Sequence, residues 1–422
     1  MPMQNFLLKR FKVIDKGVTI IDISFSSSNA EMNSSLYTSL ILGKNGSGKS
    51  FLFKQLIKAF RCLINLKSGH SRIHYRFESF ILEYYLNGDT YRFERTAGQG
   101  IEVFRSGSPV EKNDFDLPDR IIAAAFTVND KYIFGENNPY IYLGVRSAAN
   151  NTYTSSITKK IAENLIDCLA DNNRFSMIER VLSELDFDLG VTIVTTEDDK
   201  NPKYHKINSS EEARAWHFEY VFLNKLNVTN MILYRSGNEI ELDDCSSGER
   251  HVLFSLIGII KEINTNSLIL IDEPELSLHP EWQIRYISWL SKVFENYPSC
   301  HFLLASHSHY LVSSLRPEAS SLIKMSCNGN GSYSGNMVDY STYAWSAESV
   351  IYEIFETRTS RNYYFLNDLM KLQKLLNCHD VSVSKFNEIN SLIKKLEKYE
   401  FHEADPLREL IQRAKVSQRE ID

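Results

Sequence analysis

What this chain lacks narrows its function before any motif is read. Its six cysteines (Cys62, Cys168, Cys245, Cys300, Cys327 and Cys378) are scattered and form no C-x-x-C pair, so reduced thiols are expected rather than a disulfide framework or a cysteine-based zinc site. No apolar run is long enough to cross a bilayer and the N-terminus has no apolar signal core, which predicts a cytoplasmic protein with no membrane partner. A surplus of positive charge is also missing. With 47 Lys and Arg against 53 Asp and Glu, the chain does not coat nucleic acid by bulk charge, although a local basic groove remains open. There is no repeat, no low-complexity tract and no sustained heptad pattern.

What is present is the composition of a globular protein: 422 residues, 43% apolar and 24% charged, enough for a substantial core in two or three subdomains. The chain is organised around Gly43, Lys44, Asn45, Gly46, Ser47, Gly48, Lys49 and Ser50, which satisfy G-x-x-x-x-G-K-[ST]. An apolar segment ending Leu40-Ile41-Leu42 precedes the motif as a predicted strand. Apolar residues at helical spacing follow it from Phe51 to Phe60. Strand, glycine loop and helix is the context in which backbone N–H groups and a helix N-terminus cradle phosphate. Lys49 then reaches the terminal phosphates of ATP and Ser50 serves Mg²⁺.

Along the chain, residues 6–25 read as strands. Asn87-Gly88-Asp89 and Ser236-Gly237-Asn238 each separate two strand-like runs and predict hairpins. Residues 101–104 and 121–126 read as further strands. Residues 157–189 and 211–226 read as helices around a polar loop at 197–206, which makes the middle of the chain a compact helical lobe. The expected organisation is therefore residues 1–146 as the first half of a nucleotide-binding core with an antiparallel β subdomain and 147–226 as a helical insertion. Residues 227–345 complete the core, and 346–422 form a helical tail able to bind a partner.

The second half of the site follows the second hairpin. Cys245-Ser246-Ser247-Gly248-Glu249-Arg250 precedes an apolar helix, and small residues with Gly at a helix start free N–H groups for an anion. Alone this would be an ordinary cap. Directly after that helix, however, Ser267-Leu268-Ile269-Leu270-Ile271 delivers Asp272 and Glu273 at a strand end, the edge that faces a phosphate loop in a doubly wound sheet. Asp272 suits the Mg²⁺ shell, and Glu273 suits activation of a water for in-line attack. A further strand ends at Ser306-His307-Ser308-His309. His307 is the candidate γ-phosphate contact, and His309 is expected to start the next helix.

In this order GKNGSGKS, CSSGER, LILIDEPELSLHP and LLASHS resemble the ATP-binding-cassette (ABC) ATPases, and more closely the soluble branch containing RecF, OLD and SMC-like proteins. The resemblance implies an α/β fold: an ABC-ATPase head with a mixed sheet, an antiparallel β subdomain, a helical insertion and a helical tail. It further implies that residues 43–50 bind the triphosphate, that Ser50 and Asp272 hold Mg²⁺ and that Glu273 is the catalytic base. Ser246, Ser247, Gly248 and Glu249 would contact nucleotide held by a second protomer, His307 would sense it, and residues 276–279 would lie across the seam. Two positions depart from the pattern. Cys245 replaces the leading Leu of the signature. The glutamine that transporters place before the signature has no clear counterpart, because Gln99 sits in a Gly-rich turn while Asn129 and Asp130 stand at a more suitable place.

The stretch between phosphate loop and signature is too long for a transporter motor and too short for SMC coiled coils. After His307 there is no D-x-D pair, so the nuclease of OLD proteins is not expected here. The layout, with Tyr142-Leu143-Gly144-Val145-Arg146 and Asp405-Pro406-Leu407-Arg408, resembles the ATPase subunit of Septu-type phage-defence systems, including retron-associated ones. That resemblance implies a separate HNH-type nuclease partner. A RecF-like DNA-binding repair ATPase remains an alternative, carried by the basic residues Lys54, Lys58, Arg61, Lys67, Arg72 and Arg76, and so does a scaffold with a structural nucleotide site.

Overall fold

A computed structural model describes residues 5–26, 36–69, 75–125, 132, 138–144, 154–169, 171–197, 201–223, 227–356, 363–377, 383–396 and 398–399. The chain divides into two compact units, Met1–Val350 and Ile351–Asp422. In the first unit, β1 (Phe6–Asp15), β2 (Val18–Ser24) and β3 (Tyr37–Leu42) lead into α1 (Lys49–Lys67). A meander of β4 (Ser79–Leu86), β5 (Asp89–Thr96), β6 (Gly100–Arg105) and β7 (Ser108–Val110) follows, then β8 (Ile121–Ala125) and β9 (Tyr140–Gly144). The β4–β5 turn is made by Asn87 and Gly88, both at positive φ (53° and 99°), the geometry that matches strand twist in a two-residue hairpin.

The middle of the chain differs from the helical lobe expected of it. It contributes α2 (Thr154–Cys168), α3 (Asn172–Glu184) and α4 (Ser210–Leu223), but also β10 (Val191–Glu197) and β11 (Asn201–Ile207). These strands join β12 (Asn227–Arg235) and β13 (Asn238–Glu241) in a four-stranded antiparallel sheet ordered β11-β10-β12-β13. A boundary at residue 226 therefore cuts through a sheet. The Val-Thr-Ile-Val-Thr-Thr run of β10 is a β-branched strand signal, whereas β11 is an exposed edge strand whose polar residues hide its periodicity.

The chain returns to the main sheet through α5 (Ser247–Glu262), β14 (Leu268–Asp272), α6 (Pro280–Val293) and β15 (His301–Ser306). It continues with β16 (Ser320–Cys327), β17 (Tyr333–Met337) and α7 (Ala347–Glu353). No α-helix starts at His309. A 3₁₀ turn at Val312–Ser314 leads to β16 instead, and the His309 ring lies 4.0 Å from that of Tyr310. The 13-stranded sheet runs β7-β6-β5-β4-β1-β2-β17-β16-β3-β15-β14-β8-β9. Its β16-to-β9 half is parallel, and the four inner strands β3, β15, β14 and β8 are buried along nearly their whole length, as parallel strands covered on both faces must be. α1 packs through Leu52, Phe53, Leu56, Ile57, Phe60, Leu63 and Ile64, residues three and four apart on one face.

Register positions the chemistry. Asp272 is level with Ala305 on one side and Ala125 on the other, and Ser306 is level with Leu42. The C-terminal ends of β3, β15 and β14 therefore deliver Gly43, His307 and Glu273 along one edge. In the second unit, α8 (Tyr363–Asn377) and α9 (Val383–Leu396) pack through Phe365, Leu372, Leu392, Ile393 and Leu396, with Lys395 paired to Asp368 at 2.7 Å. Among the described residues no helix is long and apolar enough to cross a membrane. Asn129, Asp130, Val145, Arg146 and residues 405–408 lie outside those described.

Candidate nucleotide site

The phosphate loop takes its shape from three glycines. Gly46 and Gly48 have φ of 81° and 94°, values that cost an L side chain about 1 kcal/mol or more. At Gly43 a Cβ would stand 2.6 Å from the Met325 carbonyl of β16, so the loop can leave the sheet there only without a side chain. Gly48 is the N-cap of α1 and makes no side-chain cap, which leaves the N–H groups of the first turn available to an anion. Lys44, Asn45 and Gly46 are exposed at the loop tip, and the Ser47 hydroxyl is buried without a hydrogen-bond partner among the described residues.

Lys49 is buried and folds back so that Nζ donates to the Gly43 carbonyl at 2.8 Å. Burial lowers its pKa, while Asp272, Glu273 and Glu275 act in the opposite sense. Three acids thus face one lysine, the charge arrangement expected where phosphates and a divalent cation share a pocket.

Asp272 ends β14 with its carboxylate buried. Oδ2 accepts from the Tyr132 hydroxyl at 2.5 Å, while Oδ1 has no hydrogen-bond partner among the described residues. Burial raises its pKa, and the nearby Tyr132 and Ser50 hydroxyls oppose the rise. An orphaned carboxylate oxygen beside a serine hydroxyl at the start of α1 is a hard oxygen donor set that fits Mg²⁺. Tyr132 was not legible as a site residue. Its nearest signal was its place two positions after Asp130, in the segment expected to approach the metal, whereas Gln99 lies in an exposed turn between β5 and β6.

Glu273 follows at φ 53°, a left-handed conformation for a non-glycine residue, with its N–H bonded to the Ala305 carbonyl at 2.8 Å. The turn swings its side chain off the line of β14 and leaves it half-buried beside His307. His307 Nδ1 lies 3.9 Å from Glu273 Oε1 but 3.0 Å from Glu275 Oε1, which also accepts the His307 backbone N–H at 2.8 Å. Sequence reasoning had assigned Glu275 no role. Gln283 on α6 ties the region together. It accepts from the Ser308 hydroxyl at 2.6 Å and donates to the Leu278 carbonyl at 2.9 Å, joining the strand end at His307 to the loop 276–279.

The signature segment forms a reciprocal cap. The Ser246 hydroxyl accepts from Glu249 N at 3.2 Å, and Glu249 Oε2 accepts from Ser246 N at 2.7 Å. Burial opposes ionisation of Glu249, but Arg235 and the two Ser246 bonds outweigh it and hold the carboxyl below its ordinary range. Glu249 is thus committed to the cap within its own chain, while Ser246 and Ser247 are exposed at the helix tip. Gly248 is buried where a Cβ would come 2.7 Å from the Ser277 carbonyl, so the signature helix rests directly on loop 276–279. His279 caps α6 by accepting from Glu281 N at 3.4 Å, with Pro280 at the first helical position. In the basic run, Lys67 is bonded to the Asn113 and Phe115 carbonyls, and Arg72 lies outside the described residues.

Residues 185–313 match the family described as an AAA domain, putative AbiEii toxin, Type IV TA system. The chain is 23% identical over 203 residues to the Septu protein PtuA of Bacillus thuringiensis, covering 44% of this chain and 48% of that one. It is 25% identical over 116 residues to the Retron Vc95 probable ATPase of Vibrio cholerae serotype O1 biovar El Tor, covering 25% of this chain and 22% of the other. The chain thus matches less than half the length of either relative. The SMC head domain from Thermotoga maritima superposes with a TM-score of 0.40 at 13% identity, covering 79% of this chain and 99% of that one. The strand order and the motif positions, rather than that score, carry the fold.

Proposed function

We propose that this chain is an ABC-type ATPase of the branch containing RecF, OLD and SMC-like proteins, which binds and hydrolyses ATP at residues 43–50 as the regulatory subunit of an antiphage defence complex. The observation that carries the reading is the convergence of Lys49, Asp272, Glu273 and His307 on one sheet edge. Exposed N–H groups of the loop and of the first turn of α1 bind the phosphates, and Lys49 moves from the Gly43 carbonyl to the terminal phosphates. Ser50 and Asp272 hold Mg²⁺, which when bound neutralises phosphate charge. Glu273, half-buried and off the strand axis, orients water and accepts its proton. His307 addresses the γ-phosphate.

The active form is a dimer or higher oligomer in which Ser246, Ser247 and Gly248 of one copy meet nucleotide held by the other. Exposure of the two serines at a capped helix tip supports this placement. The Septu and retron relatives support the defence setting, and the Septu resemblance supplies the expected effector, a separate HNH-type nuclease.

The experiment is a comparison of wild type with Glu273→Gln. Hydrolysis is expected to drop about 100-fold or more while ATP binding persists and the closed dimer accumulates, read by light scattering with ATP and Mg²⁺. Equal rates in the two proteins would falsify the base assignment and favour a structural nucleotide site. Co-purification with the products of neighbouring genes separates a nuclease regulator from a RecF-like repair ATPase, for which bound DNA and no nuclease is the expected outcome.

A further inference from the structure

We propose that Glu275 is a positioning residue: it sets the orientation and tautomer of His307, so that a Glu–His pair, and not a lone histidine, stands at the nucleotide edge. The inference rests on the nucleotide reading above. Glu275 follows Asp272 by three positions in D-E-P-E and is 5% exposed, a burial that a carboxylate sustains only with partners. One oxygen, Oε1, lies 2.8 Å from the His307 backbone nitrogen and 3.0 Å from its Nδ1. The other, Oε2, has no hydrogen-bond partner among the described residues.

A carboxylate oxygen 3.0 Å from a ring nitrogen favours a proton on that nitrogen, which places the ring proton on Nδ1 and leaves Nε2 as the nitrogen that addresses the nucleotide. The backbone is pinned on both sides of the ring. Ser308 N donates to Ser306 Oγ at 2.8 Å, and the Ser308 hydroxyl donates to Gln283 at 2.6 Å. The backbone at His307 is therefore held in place, and the ring, 43% exposed, has Glu275 as its nearest acceptor.

A second consequence concerns Glu273. Its Oε1 is 3.9 Å from the same Nδ1, beyond a hydrogen bond but the next acceptor in reach. Occupation of Nδ1 by Glu275 keeps the proposed base free for water. Without Glu275 the imidazole turns to Glu273, and two functions fail together: the histidine loses its aim and the base gains a competitor.

The test uses the full chain with isotope-labelled histidine. Two-bond nitrogen–proton correlations at pH 8, assigned by the signal lost in His307→Asn, are expected to show the Nδ1–H form in wild type. Glu275→Gln, which keeps one acceptor oxygen, retains that form in part, and Glu275→Ala loses it. In steady-state assays Glu275→Ala lowers kcat up to about 100-fold with KM for ATP within about threefold, and Glu275→Gln recovers part of the loss. The double variant with His307→Ala is no slower than either single one, as for residues acting as one unit. An unprotonated Nδ1 in wild type, or losses that multiply in the double variant, overturns the proposal. If Glu275→Ala does not fold, the isosteric Gln variant carries both readouts. If wild type hydrolyses nothing, the ATPase reading fails, while the tautomer measurement still decides the pairing.

Discussion

Arg235, at the end of a strand in the smaller sheet, holds the Glu249 carboxylate of the signature cap at 2.5 Å. The same guanidinium stacks 4.3 Å over Phe187 and donates to the Leu185 carbonyl at 3.2 Å. One side chain thus couples the α3–β10 turn, the four-stranded sheet and the helix tip proposed to meet nucleotide across the dimer.

Arg235→Ala is expected to cost about 1 kcal/mol, because the pair is partly exposed and its Coulomb share is modest. Its larger effect falls on function. ATP still binds the Lys49 loop, but ATP-driven dimerisation weakens because the cap loses its outer anchor. Arg235→Lys does not restore it, since an ammonium can neither stack nor fork in the same way. Calorimetric melting and light scattering with ATP check the two halves separately. Unchanged dimerisation in Arg235→Ala would remove the coupling.

Gly248→Ala tests the contact between the signature helix and loop 276–279. The added methyl meets a backbone oxygen 2.7 Å away that no rotamer change can move. The helix tip must shift relative to the loop, and hydrolysis is expected to fall up to about 100-fold with nucleotide affinity of the phosphate loop nearly unchanged. A fluorescent ATP analogue reads the affinity and phosphate release reads the turnover. Loss of binding together with turnover would place the defect elsewhere.

Acid sensitivity follows from two histidines, His301, which is buried, and His251, which is partly buried. His301 accepts from Leu8 N at Nδ1 (3.1 Å), so Nε2 carries the ring proton toward Ser39 Oγ at 2.8 Å. Burial lowers its pKa from 6.5 to about 3, and burial lowers that of His251 to about 4. The unfolded chain takes up these protons near pH 6.5 and the folded chain only well below. Stability from both sites is therefore complete above that pH and is lost as pH falls toward 4 and then 3, at up to about 1.4 kcal/mol per pH unit for each histidine. Urea unfolding at pH 7.5, 5.5 and 4.5 measures the slope. His301→Gln is expected to flatten it, and an unchanged slope would assign the acid lability to other groups.

Much of the site was readable because its parts are local. The phosphate loop needs positive φ at Gly46 and Gly48 within a few residues, and the Asn87-Gly88 and Ser236-Gly237 hairpins declare themselves through turn chemistry. Strand β14 shows its burial as an unbroken apolar run ending in acids. Less was legible where packing overrides pattern. β11 is a polar edge strand, β16 and β17 complete the main sheet beside the loop they support, and the strand pairing of β10 with β12 bridges the segment read as an insertion.

The sequence by itself determined which residues form the phosphate loop, the signature cap and the acid-bearing strand end, since each is written in contiguous residues with local conformational demands. Only the tertiary structure decided their partners. Tyr132 reaches Asp272 across 140 positions, Arg235 joins one sheet to the helix beside another, and Glu275 rather than Glu273 takes the histidine 32 positions on. Those pairings depend on strand register and on the left-handed turn at Glu273, and a hydrogen bond, effective only within about 3 Å, is decided by that geometry and not by residue type.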